Sequence, residues 1–281
     1  MSLFFVDSGS DLNKNDIKKL GIECLDFCYL LDNKPYEIEE EEKVVSKIKK
    51  GLNFSIVKLT AKKYEKIFDE CLKQGDDIFY IASSMYVNEN LFKAREILLE
   101  KYSDRKFEIV EDKNFSIGGG MIAYLCALEY RKGASVEELK DYALKIIDEY
   151  ALYFGVGALE NLKSSGKLDN ASVAGTALSI KPIITIDLDG KMVVVDKVSG
   201  RKKVILKLIE LIRQQGKNVA DYPIGIMYSN NEADMEELKA KIYEYFGKDI
   251  LIFANKLSAS NLTLTGLGTL GLAFHVHKKL S

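Results

Sequence analysis

The chain has 281 residues, 47% of them hydrophobic and 29% charged, enough apolar material for one large domain or two and for a substantial core. A net charge of −2 with no basic stripe interleaved with aromatics argues against a nucleic-acid partner. No apolar run approaches the roughly 20 residues a membrane helix requires. No basic segment precedes an apolar one at the N-terminus, so no export signal and a cytoplasmic location are expected.

The chain opens with "LFFVDSGSDL", an apolar run that reads as a buried strand followed by a loop of small polar groups, Asp7 to Ser10. A helix near 13–20 follows, then "GIECLDFCYLL" as one extended stretch. "IEEEEKVVSKIKKG" (38–51) is a charged helix whose acidic start and basic end suit the macrodipole. Next come helical "AKKYEKIFDECLKQG", a buried strand "DIFYIASS" (77–84), helical "NLFKAREILLEKY" and a strand "FEIVED" (107–112). "GGGMIAYLCALEYRKG" is a helix. "ASVEELKDYALKIIDEY" places Val136, Leu139, Ala143, Ile146 and Ile147 on one face, with Ser135 and Glu138 forming a capping box. Strands alternating with helices imply a doubly wound parallel α/β sheet over residues 1–150.

The rhythm changes after residue 150. "ALYFGVG" is a strand and "LENLKSSGKL" a short helix. "KPIITIDLDGKMVVVDKV" is a hairpin turning at Asp189-Gly190. "GRKKVILKLIELIRQQG" and "EADMEELKAKIYEYFG" are helices, and "YPIGIMYS" and "DILIFAN" are strands. Residues 151–281 therefore read as a smaller mixed α/β domain, with a ligand cleft between the two.

The four cysteines, Cys24, Cys28, Cys71 and Cys126, are scattered without zinc-ligand spacing and read as reduced structural thiols. His275 and His277 alternate on a terminal strand-like segment. A metal pair is one reading, polar residues of an edge strand the other, and the second is preferred. No metal site or cofactor is expected.

In open α/β sheets ligands sit beyond the carboxyl ends of the strands. Three such ends carry small polar groups: Asp7 to Ser10, Ser83-Ser84, and "EDKNFSIGGG". Gly118, Gly119 and Gly120 open a helix, where exposed amides suit a carboxylate or phosphate; tight helix–sheet packing explains the same glycines. The pattern is neither a P-loop nor a dinucleotide fingerprint. Without an upstream histidine, the serine-rich loops lack an obvious base.

The motifs taken together resemble the DegV family of bacterial fatty-acid-binding proteins. "VDSGSDL" is similar to that family's VTDSTADL opening, and "IASSMYVNENLFKA" sits where it has S-S-x-L-S-G-T-Y. "EDKNFSIGGGMIAYLCALEYRKGASVEEL" resembles its D-S-x-x-x-S-x-G-x-G helix and the G-x-S-x-E-E that follows. "VGALENLKSSGKLDNASVAGTALSIKPIITIDLDGKMVVVDKVSGRKK" resembles D-L-x-x-L-x-x-G-G-R-I, L-L-x-I-K-P-I-L, D-G-K and G-R-K-K in order. "TGLGTLGLAF" resembles the terminal H-T-G-P-G-x-L-G.

The resemblance implies a non-catalytic protein that buries a long-chain fatty acid between its domains. It would present the carboxylate to a separate fatty acid kinase subunit for phospholipid synthesis. The ligand-binding residues it implies, with the polar strand ends, are Ser8, Ser55, Thr60, Ser83, Ser84, Ser116, Gly118, Gly119, Thr265 and Gly266, with Lys167 and Arg201 toward the kinase. Several positions depart from the pattern. Ile56 and Val57 replace a Thr-Ser pair, Val87 replaces the serine of S-G-T, Leu264 replaces a histidine, and Leu267 a proline. Lys167 replaces an arginine, keeping the charge but losing the bidentate fork. The alternative reading is a small-molecule or phosphate-binding enzyme using the Asp7–Ser10 loop and the Gly118–Gly120 helix start.

Overall fold

The computed structural model describes residues 2–37, 41–52, 54–157, 159–168 and 180–280. The first residues of the expected 38–51 helix, and residues 169–179 of the longest family-like motif, lie outside the described residues.

Four short parallel strands build the first sheet: β1 (Ser2–Asp7), β2 (Glu23–Leu25), β6 (Asp77–Ala82) and β7 (Phe107–Glu111), in the order β2-β1-β6-β7. Their apolar runs are continuous because both faces are covered. Phe5, Ile78 and Tyr80 turn toward α3 (Ala61–Lys73) and α4 (Glu89–Lys101), packing with Phe68, Leu72, Leu91 and Leu98. Phe4, Val6, Phe79 and Ile81 face the opposite way, into the core that includes α5 (Ile117–Arg131) and α6 (Val136–Asp148). The doubly wound parallel arrangement read from the sequence is present. Ser135 and Glu138 form the expected capping box on α6.

Six strands form the second, mixed sheet. They are β8 (Tyr150–Gly155), β9 (Ile180–Ile186), β10 (Met192–Ser199), β11 (Ile224–Tyr228), β12 (Ile252–Lys256) and β13 (Leu270–His275), ordered β10-β9-β8-β13-β11-β12. The β9–β10 hairpin turns where expected, with Gly190 at φ 81° and the Asp187 carboxylate accepting from the Asp189 and Lys191 amides. One face of this sheet is covered by α8 (Arg201–Gln215) and α9 (Glu232–Phe246).

α5 explains why the two sheets share a core. From Ile117 to Ala127 it carries only apolar residues and glycines apart from Tyr124, and a helical stretch without a polar face must be buried all round. It packs against β1 of the first sheet and against β8, β11 and β13 of the second. Gly225 on β11 permits the closest approach: a Cβ there would lie 2.8 Å from the Ile117 side chain.

Three expectations are corrected. "GIECLDFCYLL" is not one strand: β2 joins the parallel sheet, whereas β3 (Cys28–Leu31) pairs antiparallel with β4 (Lys34–Tyr36) and β5 (Phe54–Val57) in a separate small sheet. The "FSIV" of β5 is thus a strand that the sequence reading passed over, as it did the helix α10 (Ala259–Thr265). β13 is an inner strand, hydrogen-bonded to β8 and β11, not an edge. His275 is accordingly buried, stacked 3.7 Å from the Tyr222 ring, with Nδ1 2.7 Å from the Lys217 carbonyl. His277 lies past the strand and is exposed. All four cysteines are free thiols.

Candidate functional site

The polar strand ends come together, and three carboxylates organise them. Asp7, at the end of β1, accepts from the Gly9 amide (3.0 Å), the Ser83 amide (2.9 Å), the Ser83 hydroxyl and the Tyr80 hydroxyl (3.1 Å). Asp11 accepts from the Ser116 hydroxyl and the Ser258 amide (2.8 Å), and its carbonyl takes a bond from Asn255 (2.9 Å). Asp112, just beyond β7, accepts from the Ser84 and Asn114 amides, each at 3.0 Å.

All three side chains are buried. Burial pushes the carboxyls of Asp7 and Asp11 up from 3.8 to about 6, against the opposing pull of their Ser83 and Ser116 hydrogen bonds. Burial raises Asp112 as well. The protons of Ser83 and Ser116 are thus committed to the protein's own carboxylates. Ser8 accepts from the Phe27 amide, and Ser84 from the Lys113 amide.

The glycine run has a steric cause. A Cβ on Gly118 would collide with the Asn114 side chain, on Gly119 with the Asp112 carboxylate, and on Gly120 with the Ser10 carbonyl. The start of α5 is packed against these groups without intervening space.

Open space borders the loop after β1, in cavities of about 870 Å³ (Ser8, Asp11, Lys14, Cys24, Asn255) and about 650 Å³ (Ser8, Phe27, Tyr29, Val57, Ser258), and lies also along α10, where the small sheet and α2 (Glu41–Lys49) meet it. One groove of about 560 Å³ is lined by Ile48 and Leu52, by Phe54, Ser55 and Ile56 of β5, by Tyr86, and by Ser260, Thr263 and Leu264 of α10. The end of α7 (Leu159–Ser164) closes its far side with Asn161, Ser164 and Ser165. A second opening of about 390 Å³ flanks the same α2–α10 contact, lined by Val44, Val45, Tyr228, Leu257, Ala259 and Leu262 among others. α10 is anchored on the strand-end cluster: Asn261 donates to the Gly9 carbonyl (2.9 Å) and accepts from the Tyr86 hydroxyl (2.7 Å).

A family model described as "Uncharacterised protein, DegV family" matches residues 4–277. The chain belongs to the DegV family. A DegV domain-containing protein of Clostridium perfringens is 32% identical over 97% of this chain and 96% of its own. Among solved structures, one described as fatty acid binding of a DegV family protein from Thermus thermophilus superposes with a TM-score of 0.84. It is 21% identical, covering 98% of this chain and 99% of that one. A DegV family protein from Ruminococcus gnavus, solved with vaccenic acid, gives a TM-score of 0.85 at 18% identity, covering 97% and 99%. At these identities the structures establish the shared DegV fold.

The departures from the DegV pattern separate in space. Ile56 and Leu264 line the 560 Å³ groove together with Ser55. Val87 packs elsewhere, against the cluster around Tyr64 and Phe68. Thr60 is exposed and caps α3 through the Lys63 amide. Thr265 is buried and donates to the Asn261 carbonyl (2.9 Å); the Gly266 carbonyl accepts from Ser229 and Thr269. Lys167 is exposed beyond α7, whereas Arg201 begins α8 and pairs with Asp234. Tyr86, Asn161, Ser260 and Thr263 line the groove although the sequence reading did not single them out. The hydroxyl-rich "SASNLTLT" was the available signal for two of them.

Among the described residues no group of three or more His, Cys, Asp or Glu side chains is arranged to hold a metal ion. No helix there is long and apolar enough to cross a membrane.

Proposed function

We propose that this DegV protein binds a long-chain fatty acid, with the tail along the α2–α10 seam and the carboxylate at the β5 side of the groove. The observation that carries the reading is the seam itself. Two openings flank one helix–helix contact, and Val44, Leu257 and Leu262 on one side and Leu52, Ile56 and Leu264 on the other give each an apolar portion beside its polar lining. The groove draws its lining from both the 1–150 and the 151–281 parts of the chain, as a ligand seated between two domains requires. Vaccenic acid in the R. gnavus relative and heptadecanoic acid in one from Eubacterium eligens support the choice of ligand class.

The energetics favour a tail-dominated interaction. Burying a methylene contributes about 0.8 kcal/mol, so a 16-carbon tail offers roughly 12 kcal/mol gross. A hydrogen bond to a charged carboxylate contributes about 1.5–3 kcal/mol net. Ile56 and Leu264, where the family pattern has a hydroxyl and a histidine, therefore weaken the head-group contact while leaving the tail's larger share intact.

The protein acts as a carrier, not an enzyme, and a separate kinase subunit acts on the presented carboxylate, with Lys167 and Arg201 toward that partner. A phosphate-binding role at the strand ends is less favourable. Asp7, Asp11 and Asp112 would confront a further anion with buried negative charge.

Lipid extraction and mass spectrometry of the purified protein test the binding. Co-purified acyl chains, or stoichiometric uptake of oleate by delipidated protein, are expected; lipid-free protein that refuses oleate overturns the reading. Acyl-phosphate formation with the cognate kinase tests the handover separately.

A further inference from the structure

α5 bars the simplest route to α10. It packs on β1 and on β8, β11 and β13, so parting the two large sheets would strip its Ile117–Ala127 stretch of cover. The small sheet and α2 are held differently. Among the described residues, β3, β4 and β5 are hydrogen-bonded to one another and to neither large sheet. α2 rests on α10, and of its described residues only Val44 is buried, against five on α6.

This unit is nevertheless coherent. The Tyr36 and Phe54 rings meet edge to face at 5.5 Å, and Lys47 of α2 stands over the Tyr36 ring at 5.1 Å, joining helix to sheet. Its two connections to the rest of the chain are short and irregular. Asp26 and Phe27 follow β2, where Leu25 still pairs with Asp7 of β1. Lys58 and Leu59 precede α3, and the Leu59 carbonyl is held by Asn90 at 3.0 Å.

Three cavities lie along the border of this unit. The 390 Å³ opening lies between Val44 and Tyr228, the 560 Å³ groove between Ile56 and Asn161, and the 650 Å³ cavity between Tyr36 and Lys63. Tyr29 and Phe54 turn inward to the shared core. Polar and ring contacts across the border include the Phe27 amide on the Ser8 hydroxyl (3.2 Å), Lys49 on Asn230 (3.3 Å) and the Phe27 ring edge-on to Tyr86 (5.0 Å). A unit with sparse apolar burial and open space at its border is the part of a structure that opens most readily.

We propose that the small sheet and α2 form a lid, swinging as one body on the connections at Asp26–Phe27 and Lys58–Leu59 to admit a lipid tail to α10. The proposal rests on the lipid-binding reading above. When the lid is closed, Val44 and Ile56 complete the apolar portions of the two openings; when it is open, α10 is uncovered while α5 keeps both large sheets in place.

The test ties the lid down. Lys49→Cys/Asn230→Cys, joined by a short bis-maleimide, bridges the contact between Lys49 Nζ and Asn230 Oδ1. Cys24, Cys28 and Cys71 are replaced by serine in every form, and the buried Cys126 is kept. Oleate uptake and release by delipidated protein are followed by stopped flow. In the cross-linked protein both rates should fall about tenfold with little change in equilibrium affinity, because a gate slows entry and exit alike. The same variant with each cysteine capped by N-ethylmaleimide should exchange oleate as fast as the unmodified variant. Amide hydrogen exchange should show α2, β3 and β5 opening together, and more often than α5 or β8. Equal rates in the tied and capped proteins overturn the lid, as does equal slowing by the caps alone or exchange in α2 and β5 as slow as in α5. If no form binds oleate, the lipid reading fails, and the lid stands or falls on the amide exchange.

Discussion

Asp11→Asn should change how the stability of this protein depends on pH. Asp11 is buried, with a carboxyl held near 6 against 3.8 for an ordinary aspartate, chiefly because burial penalises its charged form. A group whose folded pKa is raised contributes stability that is fully present below the unfolded value and lost as pH rises through the folded one. The window here is therefore pH 3.8 to about 6. The shift of about two units corresponds to roughly 3 kcal/mol. Asp7 carries a shift of the same size for the same first cause.

Asn is a suitable probe because it tolerates the left-handed backbone at Asp11, φ 53°. Its carbonyl can still accept from the Ser258 amide, and the Ser116 hydroxyl can rotate to accept from its NH₂. The substitution carries a fixed cost at every pH, which drops out when slopes are compared. Urea denaturation between pH 4 and pH 7 should show wild type losing stability relative to Asp11→Asn by about 3 kcal/mol across the window. Parallel curves for the two proteins would refute the assignment of a buried, elevated carboxyl to Asp11.

Gly119→Ala should lower stability by about 1–3 kcal/mol, seen as a drop of several degrees in a thermal melt, because the added methyl falls on a carboxylate pinned by two amides. Leu262→Ala, at a position 3% exposed between the two openings, should cost about 2–5 kcal/mol in urea denaturation. Ser135→Ala removes one half of the α6 capping box and should cost about 1 kcal/mol by the same assay.

What was legible in the sequence was what periodicity and local chemistry control. α6 shows a single apolar face and its own cap, and the β9–β10 turn is written in Asp189-Gly190. The small sheet was hidden because its strands are three or four residues long and pair across distant positions, Cys28 with Val57 and Tyr29 with Ile56. α10 was hidden because Ser, Asn and Thr are poor helix formers. Its helix is held by Asn261 on Gly9 and by Thr263 and Thr265 bonding back to their own turn. The interior position of β13 depends on β8 and β11, which lie far from it in sequence and leave no mark on "LAFHVHKK".

The strand-end serines illustrate a deeper ambiguity. A hydroxyl at the carboxyl end of a strand reads the same whether it awaits a ligand or answers a neighbouring carboxylate. In "VDSGSD" the two aspartates that take up Ser83 and Ser116 stand beside the serines that drew attention. Asp7 and Asp112 occupy the ends of β1 and β7, and their bonds from Ser83 and Ser84 tie those groups to the chain itself. The proposed ligand site lies one layer out, where the small sheet and α2 cover α10. There Leu52, Ile56 and Leu264 stand among hydroxyls whose protons are mostly committed to the chain itself, and Lys49 and Lys256 line the second opening. The polar motifs, so prominent in the sequence, hold α10 and its approach against the N-terminal loop, Asn261 on the Gly9 carbonyl and Ser258 on the Asp11 carboxylate.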